Sequence, residues 1–187
     1  FYRLTDPDKM NAAQWHFAGP TRPVEELFDC QKDPYNLNNL VGSKEHKEAL
    51  ERLRKEHKRH IRRTVDLGFL PESEAWTMFE GSSGWEMGQG GKVSVGPSQK
   101  AAAQVGVSQE GVFLKNLSSK DANVRYWGAI GLCARKEKPS DKALKKLKDT
   151  LKDSSAAVRI EAANAIAVHG DIKAALPALV KDLAHEN

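Results

Sequence analysis

The chain has 187 residues, 29 of them Lys or Arg against 25 Asp or Glu, and only 7% are aromatic. Such a length holds one medium domain or two small ones with a real core, and a net charge of +4 is too small to assign a partner. Two cysteines, Cys30 and Cys133, support neither a disulfide framework nor a zinc site, and no apolar run approaches the ~20 residues that span a bilayer.

Both cysteines are expected to be free, half-buried thiols, which leaves the redox compartment open. The sequence starts Phe1-Tyr2-Arg3 with no Met and no signal-peptide pattern, and it ends abruptly after Leu183. A segment cut from a longer protein is the expectation. Residues 8–17 are predicted as a short helix capped by Asp6 or Asp8, with Met10, Ala13 and Phe17 on one side. Gly19-Pro20 and Arg22-Pro23 then impose extended or turning backbone. Trp15-His16-Phe17 has two readings: an aromatic pocket lining, or packing against Leu27 and Phe28.

Residues 25–40 read as a short strand followed by turns. Leu27 and Phe28 supply apolar surface, Asp33-Pro34 and the Asn36 to Asn39 run are turn formers, and Leu37 and Leu40 are placed to pin the loop to a core. A helix is predicted over 44–66 with Ser43 as N-cap and Leu50, Leu53, His57, Ile61 and Val65 as its apolar stripe. Glu48 with Arg52 and Glu51 with Lys55 support it at i,i+4 spacing, Gly68 ends it and Pro71 follows. Lys58, Arg59, Arg62 and Arg63 make its last turns basic. Cations there also answer the helix dipole, and glutamates dilute the patch, so no nucleic-acid partner is expected. His57 and His60 lack a third ligand nearby, and no metal site is expected.

Residues 80–108 read as a linker. Gly81 to Gly84 and Gly88 to Gly91 bracket Trp85 and Met87, with no Gly-Lys-Ser/Thr phosphate loop, and Trp85 and Val93 are expected to tack the segment to a neighbour. From residue 109 onward the chain repeats: Val124-Arg125 recurs as Val158-Arg159, 34 residues later. Phe113 and Leu117 correspond to Leu147 and Leu151. Gly128, Ala129, Gly131 and Leu132 correspond to Ala162, Ala163, Ala165 and Ile166. Each unit is a helix, a polar turn and a second helix with small residues in its buried stripe, which let the paired helix come close. Leu179 and Leu183 open a third unit. The pattern resembles HEAT-type repeats of the short variety with Asp before Val-Arg, here Asp153 before Val158-Arg159. A tetratricopeptide reading fits less well, because its Trp…Leu-Gly…Tyr signature is absent. Trp127 stands where a small residue is commoner and is expected to pack on what precedes the repeats.

No Ser or Cys sits in a nucleophile elbow, and there is no His-Glu-x-x-His or paired-cysteine spacing. The stretch Glu26-Leu27-Phe28-Asp29, then Asp33-Pro34, then Asn38-Asn39-Leu40 resembles the signature near the C-terminal end of sulfatases. Thr64-Val65-Asp66-Leu67-Gly68 after the helix completes the resemblance, and Thr21 to Leu27 sharpens it towards the bacterial subgroup related to heparan N-sulfatase, some members of which carry HEAT repeats. It covers residues 4–75. The resemblance implies calcium and a formylglycine made within Cys/Ser-x-Pro-x-Arg, a motif no cysteine or serine here satisfies; both groups are therefore expected upstream, and this segment is expected to be catalytically inert.

The resulting expectation is a mainly α chain in three parts. Residues 1–79 would form a small α+β sulfatase C-terminal subdomain, 80–108 a Gly/Ser-rich linker, and 109–187 a short α-solenoid of about two and a half HEAT-type helix pairs. It would serve a sulfuric ester or sulfamate hydrolase acting on sulfated sugars, in a structural role bordering substrate. Residues expected to reach substrate are His16, Arg22 and Glu25, against the alternative that Arg22 and Glu25 form an interdomain salt bridge. The implied partners are its own upstream catalytic domain and a protein on the repeat face, with no membrane, and the implied location is periplasmic or secreted. The competing reading is a non-catalytic HEAT-repeat binding module.

Overall fold

A computed structural model describes residues 9–19, 22–91 and 93–183. Among these the chain is mainly α, with ten α-helices, one 3-10 turn and no strand. It divides into two compact units, residues 1–60 and 61–187. No helix among the described residues is long and apolar enough to cross a membrane.

The first unit opens with α1 (Ala12–Ala18), which starts later than predicted. Asn11 caps it, accepting from the Gln14 N–H at 2.9 Å while Gln14 Oε1 accepts from the Asn11 N–H at 3.0 Å. This reciprocal pair fixes the start; Asp6, Asp8 and Pro20 lie outside the described residues. The strand expected at Leu27-Phe28 is absent, which corrects the α+β expectation. One backbone bond does link Leu27 O to Leu40 N at 2.8 Å. The place of the remaining ladder is taken by the Asn39 side chain, as described below.

Helix α2 (Lys47–Thr64) begins three residues late because the Ser43 hydroxyl pairs with His46 Nδ1 at 2.8 Å instead of capping. Its predicted stripe is buried only at Leu50 and Ile61; residues 51–60 are all exposed, Leu53 and His57 included. Amphipathic spacing supplies a face, and burial needs something laid over it. The helix stops before Gly68. Asp66 N–H reaches Ile61 O at 3.0 Å and Val65 N–H reaches Arg62 O at 3.4 Å, the bond pair of a Schellman motif. Val65 occupies the left-handed position with φ of 48°, a strained conformation for a β-branched residue.

In the second unit, a 3-10 turn (Leu67–Phe69) leads to α3 (Glu72–Phe79) and α4 (Gly84–Gln89), then α5 (Gly96–Ala102). Residues 80–108, expected as a linker, thus hold two helices. A capping box between Ser83 and Glu86 starts α4, and Pro97 sits in the first turn of α5. Val95, Ser98, Gln99 and Ala101 are buried, and α5 packs on α7. Trp85 does not tack the segment down; it stands 74% exposed.

The repeats follow their predicted register in α6 (Glu110–Asn116), α7 (Ala122–Cys133), α8 (Asp141–Thr150), α9 (Ala156–Val168) and α10 (Ile172–Leu183). Each second helix is capped by a turn side chain: Asp121 Oδ1 accepts from Asn123 N–H at 2.9 Å and Ser155 Oγ from Val158 N–H at 3.3 Å. The core joins Phe113, Leu117, Leu132, Leu147 and Ile166 with six alanines, small enough to let α9 press against α7, α8 and α10. Trp127 packs on Phe69 at 6.5 Å between ring centroids, and its indole N–H donates to Phe69 O at 2.8 Å. On α10, Ile172, Leu176, Val180 and Leu183 face outward and are exposed.

Candidate functional site

Two places bring functional side chains together, one in each unit. In the first unit they surround the turn-rich stretch 25–40. Arg22 donates through Nη1 to the His16 carbonyl and through Nη2 to Glu26 Oε2 at 3.2 Å. The His16 ring stands edge-on to Phe28 with centroids 6.2 Å apart. Of the two readings of the aromatic trio, packing on Phe28 holds for His16, while Trp15 and Phe17 remain 46% and 78% exposed.

Glu25 faces elsewhere. Arg54 of α2 grips its carboxylate with two donors, Nε at 2.7 Å from Oε1 and Nη2 on Oε2. The hydrogen-bonded Arg54 guanidinium holds the Glu25 carboxyl below the usual carboxylate range. His16 and Arg22 are thus brought together through a backbone carbonyl, and Glu25 is engaged by a different partner. Both charged residues sit in ion pairs, neither with the other. Arg22 keeps 50% of its side chain exposed.

The polar residues of 25–40 are spent on backbone. Asn39 Oδ1 accepts from the N–H groups of Leu27 at 3.0 Å and Val41 at 3.1 Å, while its Nδ2 donates to Glu25 O at 3.1 Å. Asp29 Oδ1 accepts from Gln31 and Lys32 N–H, and Asp33 Oδ2 accepts from Asn38 N–H at 2.7 Å. Asn36 takes the left-handed turn position with φ of 54°. These side chains substitute for a ladder, which is why the stretch reads as a strand with turns and folds as a clamped loop. Asn39→Ala is expected to free three backbone groups and cost about 1–2 kcal/mol locally. Amide hydrogen exchange at Leu27 and Val41 checks this: protection should fall there and stay unchanged in α9.

Cys30 lies exposed on this loop with its thiol 3.6 Å from Asn36 Oδ1, so the expectation of a half-buried thiol holds only for Cys133. Burial pushes the Cys133 thiol up. The sulfatase resemblance implies a calcium ion and a formylglycine, both expected upstream of this segment. Among the described residues no three His, Cys, Asp or Glu side chains gather at ligand range, and neither cysteine stands in the required motif.

In the second unit the closed end of α2 and the start of α4 face each other across an open groove of about 470 Å³. Thr64 to Gly68 line one wall, and Gly84, Trp85, Gly88 and Gln89 line the other. Asp66 holds its wall in place, one carboxylate oxygen accepting from Gly68 N–H at 3.0 Å. The walls approach because Gly84 has no side chain: a Cβ there would lie 3.1 Å from Leu67 Cδ1 and 3.3 Å from the Phe79 ring. Sequence reading missed this groove. Its only signal was a glycine spacing of four flanking an isolated tryptophan, which reads equally well as a linker.

Comparison with known proteins gives two partial matches. Residues 112–187 match the family model for HEAT repeats. Over 72 residues the chain is 42% identical to an ulvan-active sulfatase of Formosa agariphila, an alignment covering 38% of this chain and 12% of that protein. The chain therefore spans a small fraction of the relative it matches. No solved structure matches it significantly.

Proposed function

We propose that this chain acts as the C-terminal part of a sulfatase, a sulfuric ester or sulfamate hydrolase of sulfated sugars, in a structural role beside the substrate. The observation that carries the reading is the 42% identity over 72 residues to a sulfatase, together with the HEAT-repeat match over residues 112–187. The burden borne by Asn39, Asp29 and Asp33 suits a scaffold: their side chains accept from backbone N–H groups and hold a loop in shape. In this reading the nucleophile and calcium belong to the catalytic domain that the chain serves, and that domain is its partner. In the same reading the whole protein is periplasmic or secreted, the location that the sulfatase resemblance implies.

The decisive experiment uses the complete gene product. It should carry Cys/Ser-x-Pro-x-Arg, release sulfate from ulvan or another sulfated glycan, and lose this when the motif residue becomes Ala. The 187-residue chain alone should release none. A complete reading frame without the motif sinks the proposal. Arg22, whose half-exposed guanidinium suits a sulfate or carboxylate, tests the bordering role: Arg22→Ala should raise KM severalfold with kcat nearly unchanged. Unaltered kinetics would leave Arg22 as a tether of His16 and Glu26 only.

A further inference from the structure

The groove between residues 64–68 and α4 has features that its structural role leaves unexplained. Trp85 presents 74% of its surface to solvent on one wall. An indole so exposed shields little apolar area of its own chain, so its position on the wall does not follow from core packing. Opposite stands Val65 in the left-handed conformation, where asparagine or glycine would sit without strain. The groove volume, about 470 Å³, falls within the ~300–1,000 Å³ typical of small-molecule sites.

The lining also selects a chemistry. Its polar members are the Asp66 carboxylate, the Gln89 amide and the Thr64 hydroxyl, and among the described lining residues Asp66 carries the charge. A sulfate group would be repelled by that carboxylate. A pyranose ring offers the complement: an apolar C–H face for the indole and hydroxyl donors for the carboxylate and amide.

We propose that this groove is a saccharide subsite that receives an unsulfated ring of a glycan chain, with Trp85 as stacking platform and Asp66 and Gln89 as hydroxyl acceptors. The proposal rests on the sulfatase reading for its ligand class, a sugar polymer, and adds where a non-reacting ring of that polymer is held.

The test titrates the 187-residue chain with oligosaccharides prepared from ulvan, before and after chemical desulfation, following the indole N–H resonance of Trp85 assigned by its loss in Trp85→Phe. That resonance should shift with both probes, with affinities within about threefold of each other. Isothermal titration calorimetry, which needs no indole signal, reads the variants: Trp85→Ala should weaken binding about tenfold, near the upper end of what one aromatic platform contributes, while Trp85→Phe keeps part of it. Trp76→Ala, which removes another exposed tryptophan outside the groove, should leave binding unchanged. Binding that needs the sulfate groups, or that survives Trp85→Ala at full strength, overturns the proposal. So does protection of Trp85 from acrylamide quenching in the complete gene product without sugar, which would mean that protein covers it. The two readings fail separately: sulfate release with a silent Trp85 removes only the subsite, and sugar binding by a protein without the sulfatase motif removes only the enzyme.

Discussion

Gly131→Ala is expected to destabilise the second unit by roughly 2 kcal/mol, although alanine is the better helix former by about 1 kcal/mol. A Cβ at Gly131 would lie 2.1 Å from Cδ1 and 2.2 Å from Cε1 of Phe113, far inside contact distance. Phe113 is fully buried, so its ring has no solvent to swing into. The next repeat solves the same packing with other sizes. Phe113 corresponds to Leu147 and Gly131 to Ala165, and both of those are also fully buried. A large ring goes with no side chain, and a smaller leucine goes with a methyl.

Phe113→Leu alone should open a cavity and cost about 1–2 kcal/mol. The double variant, Phe113→Leu with Gly131→Ala, recreates the second repeat's pair and should recover most of both losses. Thermal unfolding reads this directly, since 1 kcal/mol corresponds to about 2–4 °C in a domain of this size. Simple additivity of the two single losses in the double-mutant cycle would refute size matching between these positions.

Arg125→Ala is expected to cost roughly 2–3 kcal/mol, because this guanidinium joins two repeats. Its Nε and Nη2 each lie 2.7 Å from the Asp153 carboxylate, and its Nη1 donates to Ser119 O at 3.1 Å and Lys120 O at 3.0 Å. Arg159 repeats the arrangement one unit later, holding Asp182 while donating to Asp153 O at 2.8 Å and Ser154 O at 3.1 Å. Each arginine closes the turn of its own repeat and bonds a carboxylate further along the chain. Arg125→Lys should recover little, since an ammonium cannot supply the fork and the two turn bonds together.

The acid limb of stability offers a second readout. Burial pushes the Asp153 carboxyl up, but the hydrogen bonds from Arg125 and from Ser155 N–H outweigh it and hold the group below its ordinary value. A carboxyl depressed in the folded state stabilises fully above its unfolded pKa, and that contribution disappears as pH falls through the folded value. Wild-type stability should therefore decline on acidification through this window. In Arg125→Ala, Asp153 keeps its burial and loses its largest compensation, so the decline should flatten or reverse. A parallel shift of the whole curve would mean that the pair contributes no proton linkage.

The loop at 25–40 and the segment at 80–108 show why some of the fold was hidden. The apolar pair Leu27-Phe28 followed by turn formers suits a strand, yet a strand also needs a partner backbone, and Asn39 fills that place with one side chain. Helices α4 and α5 have six and seven residues, too short to carry a periodic stripe. Their reality comes from a capping box and from packing of α5 on α7. Of the candidate residues, His16 and Arg22 do meet, and Glu25 turns to Arg54, 29 positions away, a pairing that local spacing does not reveal.

Periodicity by itself determined the repeats. A spacing of 34 set which residues are equivalent, and Phe113, Leu132, Leu147 and Ile166 are buried as that register requires. It also placed Arg125 and Arg159 at equivalent positions, without saying what they bind. Only the tertiary structure decided that Asp153 and Asp182 are their partners, that the stripe of α2 is exposed at Leu53 and His57, and that Val65 and Trp85 face one groove. The reason is range. Helical register is written in neighbours three and four residues apart, whereas ion pairs and grooves join positions about twenty or more residues apart, whose meeting depends on how whole helices pack.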